Sequence, residues 1–168
     1  MSWNTPRTWT PGEVVTASLL NAHLRDNLNA LLAGRPLAFV CRTGSADYST
    51  SSTSFVDVDG TNLALTLNLN GSRVLLVATA LIAGSLSNSI CYLDWAADGS
   101  ARAGGTNGLI QSAIGTTGAN FQAVTALAAF SGLSPGSHTF TLQYRGNGNG
   151  TASVLNNGQA VVLFGLEV

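Results

Sequence analysis

Two histidines, two cysteines and eight carboxylates are the side chains of this chain best suited to acid–base, nucleophilic or metal chemistry. Their spacing assembles none of it. Asp94 with Asp98-Gly99, and Asp57 with Asp59, could offer oxygens to calcium, but neither run has EF-hand spacing, so solvated turn carboxylates are expected. His23 stands alone without the partner spacing of a metal ligand. His138 shares its face of a strand with Phe140 and Leu142, which reads as a core or interface histidine. Many serines are present, yet no Ser, His and acid set selects itself, and nothing singles out a glycosidase pair of carboxylates. The glycines between Gly99 and Gly118 lack a following Lys and a strand-to-helix context, so they form no phosphate loop. Cys41 and Cys91 lie in apolar alternating runs and read as buried reduced thiols, a disulfide between them being the lesser reading. No catalytic residue, cofactor or metal is expected, and the chain is expected not to be an enzyme.

Composition points to assembly instead. Charged residues make up 9% of the chain, against about a quarter in an ordinary soluble domain, and all seven basic residues are Arg. A net charge of −1 gives no electrostatic reason to bind nucleic acid or an anionic membrane. With 45% hydrophobic residues, the chain suits a subunit much of whose surface is covered by copies or by a larger particle. A solitary uncharged globular domain is the competing reading. Trp3, Pro6, Arg7, Trp9 and Pro11 interrupt any signal-peptide core. The longest apolar run, Val74 to Ala83, is too short for a spanning helix. The chain is therefore expected to be made in the cytosol and soluble.

Two regions are expected: an arm and helix over 1–35, and a β domain over 36–168. Pro6 and Pro11 hold residues 1–12 extended. Trp3 and Trp9 are too large to leave in water without cause. They either fold back on their own domain or anchor in a groove of another subunit. Thr16 is a helix N-cap, and Gly34 followed by Pro36 is a stop. Leu20, Leu24, Leu28, Leu31 and Leu32 make one apolar stripe. Leu20, Leu24, Asn27 and Leu31 also fit a self-associating seam in which a buried Asn27 would set register. Two heptads are too few to associate unaided, so the domain behind must supply most of the stability. Packing of this helix on its own sheet is the alternative.

From Leu37 the apolar period is two. Leu63, Leu65, Leu67 and Leu69 alternate cleanly, Arg73 to Ala83 is apolar on both faces and so central, and Ser89 to Ala97 is another strand. Asp59-Gly60 and Asn70-Gly71 are turns. Asp98 to Asn120 is irregular and Gly-rich, with a brief strand expected at Leu109-Ile110; connections this long are usually functional. Trp95, Asp98, Arg102 and Asn107 are its candidate exposed ligand residues. The closing run Ala160 to Val168 should be buried centrally in a sheet or at a subunit contact. About eight strands without an interior helix predict an antiparallel jelly-roll sandwich.

The pattern carried by Trp9, Pro11, Gly12, Glu13, Val15, Ala17, Leu20, Asn21, Arg25, Asp26, Asn27 and Leu31 resembles the start of many tailed-bacteriophage structural proteins, among them fibre-like, minor tail and head-decoration proteins. Leu133, Pro135, Gly136, His138, Phe140, Leu142 and Tyr144, with the closing Leu166-Glu167-Val168, are similar to the tumour-necrosis-factor-like jelly rolls that end such proteins. The resemblance implies a homotrimer on a virion, attached to major capsid or tail proteins through Trp3, Trp9 and Pro11. The chain has no repeats or long coiled coil. That favours a capsid decoration or head-fibre protein, the alternative being a short tail fibre or tail-tip protein recognising a host-surface glycan.

Overall fold

The computed structural model describes residues 4–5, 7–113 and 121–168. The chain divides into two compact units, Met1–Pro36 and Leu37–Val168.

In the first unit the extended arm folds back along its own helix. Thr10-Pro11-Gly12-Glu13 is a tight turn closed by the Glu13 N–H on the Thr10 carbonyl (3.1 Å), with Gly12 at a φ of 82°. Proline followed by glycine is the pair that a type II turn requires. Thr16 caps Ala17–Leu20 as expected, its hydroxyl accepting from the Leu19 N–H at 3.3 Å. Asn21–Arg25 then widens into a π-helical turn before α-helix resumes over Asp26–Ala33. Returning alongside, the Asn4 N–H donates to Asn27 Oδ1 (2.8 Å), the Asn27 amide donates back to the Asn4 carbonyl (3.1 Å), and the Asn4 amide reaches the Ala22 carbonyl (2.9 Å).

The second unit contains β1 (Leu37–Arg42), β2 (Tyr48–Thr50), β3 (Val56–Asp57), β4 (Ala64–Leu69), β5 (Val74–Gly84), β6 (Ile90–Ala97), β7 (Ala101–Arg102), β8 (Ile110–Ala113), β9 (Gln122–Phe130), β10 (Gly136–Gly146), β11 (Ala152–Leu155) and β12 (Val161–Glu167). One sheet has the order β1-β12-β5-β11-β2 with β9 on the other edge of β5; the second runs β3-β10-β6-β7, with β4 also on β10 and β8 also on β6. The strand pairs are antiparallel, and the chain crosses repeatedly between the sheets. This is the expected mainly-β jelly-roll sandwich, with short β2, β3 and β7 added to the longer strands. β5 is central, and the C-terminal run lies between β1 and β5.

The period-two pattern fills the space between the sheets. Leu63, Leu65, Leu67, Leu76, Ile82, Leu93, Trp95, Phe140, Leu142 and Leu163 are all fully buried there. Gly165 faces the same core, where an added Cβ would come within 3.0–3.2 Å of Leu76, Leu67 and Leu65. A side chain at that point would overpack the join between the sheets.

Two polar ties close the ends. The buried Glu167 carboxylate accepts from the Asn70 N–H at 3.0 Å and from the Gly71 N–H, holding the Asn-Gly turn. Asp98 and Gly99, both at positive φ, make the β6–β7 turn. There Asp98 accepts from the Thr139 N–H (3.0 Å) and from His138 Nδ1 (2.7 Å), while His138 Nε2 donates to the Ser134 carbonyl (2.8 Å). Asp98, then the Ser134 carbonyl, raise the His138 pKa above its ordinary 6.5. The Thr139 N–H, then His138, hold Asp98 below its ordinary 3.8.

The raised His138 adds stability that is complete below 6.5 and lost as pH rises through its folded value. The lowered Asp98 adds stability that is complete above 3.8 and lost as pH falls through its folded value. Thermal melts should therefore show a tie fully formed between those two pH values and weakening on the alkaline side. His138→Gln should flatten the alkaline slope, and an unchanged slope would contradict the assignment.

Candidate functional site

The outward-facing residues of the first sheet carry no charge. Register places Leu37 beside Leu166, Leu75 and Ala129 in one row across the sheet. Phe39, Phe164, Val77 and Leu127 form the next row, and Cys41, Val162, Thr79 and Thr125 the third. Phe39 is 61% exposed and Leu127 58%, with Leu37 and Phe121 similarly open. An apolar face continuous over four strands is what a solitary soluble domain avoids and an interface uses. Alternation produced it: the same strands bury Val74, Leu76, Ala78, Val161 and Leu163 on their inner side.

The second sheet presents the opposite chemistry. Outward from β10 and β6 point Thr141, Gln143 and Arg145 opposite Ala96, Asp94 and Tyr92. Over them fold the loop containing Gly104 and Gly108 and the segment Thr53-Ser54-Phe55, leaving an open cleft of about 480 Å³. Gly108 is pressed against the sheet, where an added Cβ would lie 2.7 Å from the Leu93 carbonyl oxygen and 2.9 Å from the Phe55 ring. Phe55 stacks on both guanidiniums, 4.3 Å from Arg102 and 5.3 Å from Arg145. Arg102 also donates to Asp94 (3.3 Å) and to the Gly105 carbonyl (3.3 Å). Desolvation raises the Asp94 pKa against the pull of the Gly104 and Trp95 N–H groups and Arg102. Arg145 lies 3.8 Å over the Tyr92 ring and donates to the Thr106 carbonyl and to Asn107 Oδ1.

Several sequence expectations change here. Trp95 is not an exposed ligand residue: it points inward from β6, is fully buried, and donates through Nε1 to the Ala126 carbonyl at 3.3 Å. Asp94 is buried rather than a solvated turn carboxylate, because the glycine loop covers it. Asp57 is likewise committed, accepting from Thr141 and Gln143. Asp98 serves the His138 tie, Arg102 lines the cleft, and Asn107 does not line it but accepts from Arg145, which does. Cys91 is buried as expected, but Cys41 is exposed on the outer side of edge strand β1, and both thiols are free.

In the arm, Trp9 is 42% exposed and is pinned between the Arg7 guanidinium (4.7 Å) and the edge of His23 (6.2 Å). Pro11 lies in the arm's turn, and Trp3 lies outside the described residues. Asn27 is buried by its own arm, so its amide is spent within the chain and is not offered to a seam between copies. Leu20, Leu24 and Leu28 form an exposed ridge at 46%, 60% and 53%, and the side chain of Leu31 lies outside the described residues.

The meeting of Ser134, His138 and Asp98 was not legible in sequence, since Asp98 belongs to another hairpin. It is not a working triad as it stands. Nε2 faces the Ser134 carbonyl at 2.8 Å and its hydroxyl only at 3.5 Å, so both ring nitrogens are directed at other acceptors and neither is placed to take the hydroxyl proton. Among the described residues no group of three or more His, Cys, Asp or Glu side chains could hold a metal ion.

Neither a family model nor a curated protein matches this chain. Among solved structures it is similar to Eiger TNF from S. frugiperda, at 15% identity and a TM-score of 0.42, covering 80% of this chain and 93% of that one. The strand order itself is that of a two-sheet antiparallel sandwich.

Proposed function

We propose that this chain is a structural protein of a tailed-phage virion, a homotrimeric capsid decoration or head-fibre protein. The observation that carries the assembly is the charge-free outer face of the first sheet, which repeated copies of the chain would cover. Its virion setting is supported by the sequence resemblance of residues 9–31. In this reading the sandwich supplies most of the association. The folded arm and its helix present Trp9, Pro11 and the Leu20–Leu24–Leu28 ridge to the other virion proteins or to each other.

A short tail fibre or tail-tip protein shares the trimer and differs in its place on the particle. Immunogold labelling on heads supports the decoration reading, and labelling on tail tips replaces it with the other.

Light scattering of the purified chain should give three times its 17.2 kDa mass. Protein lacking residues 1–34 should keep a folded β domain and lose retention on particles. A monomer, or undiminished particle binding by the truncated protein, would overturn the proposal.

A further inference from the structure

We infer that the cleft on the second sheet is a binding site for an acidic saccharide, a sugar unit carrying one carboxylate or phosphate. The inference goes beyond the assembly reading, because it concerns the opposite face of the sandwich, which stays open when the first sheet is covered.

Three observations carry it. First, the two guanidiniums are held in place before any ligand arrives. They share the Phe55 ring, Arg102 is fixed by Asp94 and Gly105, and Arg145 is fixed by Tyr92, Thr106 and Asn107. Fixed guanidiniums lose little entropy when they bind an oxyanion, and their planar donors match carboxylate and phosphate.

Second, donors are left over. Among the described residues Arg102 bonds only through Nη1, and Arg145 through Nη1 and Nη2, so Nε and Nη2 of Arg102 and Nε of Arg145 are uncommitted. Arg102 has the buried Asp94 as its partner, but Arg145 makes no ion pair among the described residues.

Third, the remaining walls suit a polyol. Thr53, Ser54, Ser100, Thr106 and Gln143 line a volume of about 480 Å³, within the range of small-molecule sites and large enough for a sugar unit or two. A nucleic acid fits poorly. One pair of arginines in a chain of net charge −1 matches a single oxyanion and not a run of phosphates.

The test is calorimetry on the full chain with three probes: a hexuronic acid oligosaccharide, a hexose phosphate, and a neutral hexose oligosaccharide. At least one acidic probe should bind about tenfold or more tightly than the neutral one, and the acidic arms tell carboxylate from phosphate. Arg145→Gln removes the guanidinium that has no ion-pair partner among the described residues, and Ser54→Trp fills the cleft without touching a charge. Each should weaken acidic binding by about tenfold or more while the protein stays folded by thermal melt. If Arg145→Gln unfolds, Ser54→Trp decides. Equal affinity for acidic and neutral probes, no binding of any probe at millimolar concentration, or undiminished binding by the folded variants would each overturn the inference. Trimer mass is read separately, so the site and the assembly can fail independently.

Discussion

Trp95→Ala is expected to destabilise the sandwich by about 3–5 kcal/mol, the usual cost of emptying a fully buried large aromatic position. Trp95 is wholly enclosed between the sheets, and its indole N–H reaches across to the Ala126 carbonyl in the opposite sheet. The substitution therefore removes core volume and leaves that carbonyl's side-chain donor absent. In a chain of this size, each kcal/mol lowers the melting temperature by about 2–4 °C, so a loss of roughly 6–20 °C is expected. Trp95→Phe separates the two contributions. It keeps most of the ring, and losing the hydrogen bond should cost only about 1 kcal/mol. Denaturant midpoints at unchanged m-value are the measurement. If Trp95→Ala stayed within about 1 kcal/mol of the parent, the residue would not be a core element, and its role as an exposed ligand contact would have to be reconsidered.

If copies associate through the outer face of the first sheet, as proposed, placing a charge there should dissociate the proposed trimer without unfolding its subunits. Phe39 and Leu127 stand in one row with Phe164 and Val77, and both are more than half exposed in a single chain. Arg at either position is therefore compatible with the isolated fold. Within an interface between copies, the same Arg would be an unpaired buried charge, which costs several kcal/mol. A penalty of about 4 kcal/mol raises a dissociation constant by roughly three orders of magnitude. Phe39→Arg and Leu127→Arg should each shift the scattering mass from three chains to one at micromolar concentration, with the melting behaviour of a folded domain retained. A trimer that survives both substitutions would show that this face is not the contact. The exposed Leu ridge of the N-terminal helix would then be the surface to alter.

The two expectations differ in what they owe to sequence. Alternation of Leu63, Leu65, Leu67 and Leu69 sufficed to place that strand, and these leucines do face the core. Asp59-Gly60 and Asn70-Gly71 sit at turns, and the brief strand expected near Leu109-Ile110 is β8. Thr16 caps its helix. Each of these features depends on residues within a few positions of one another, because turn dihedrals, caps and the period of side-chain direction are local properties of the backbone. The polar alternation of Thr141, Gln143 and Arg145 with Phe140, Leu142 and Tyr144 was equally visible, and it could have pointed to the cleft's floor.

What alternation cannot say is which side of a strand finds a cover. Phe39 and Val40 are both apolar, yet Val40 packs on the core and Phe39 stands outside, because pairing with β12 sets the direction of β1. Trp95, beside a glycine-rich loop, looked like a ligand residue until the register of β6 on β10 turned it inward. Asn27 looked like a seam residue until the arm returned to occupy its amide. Phe55, Arg102 and Arg145 come from three separate segments, and only the packing of loops over the second sheet brings their side chains together. Local pattern is enough for the longer strands, several of their turns, the cap and the shortage of charge. Long-range strand register and chain return decided which faces are core, which are open and where the two arginines meet, since contacts between segments far apart in the chain leave no periodic trace in either one.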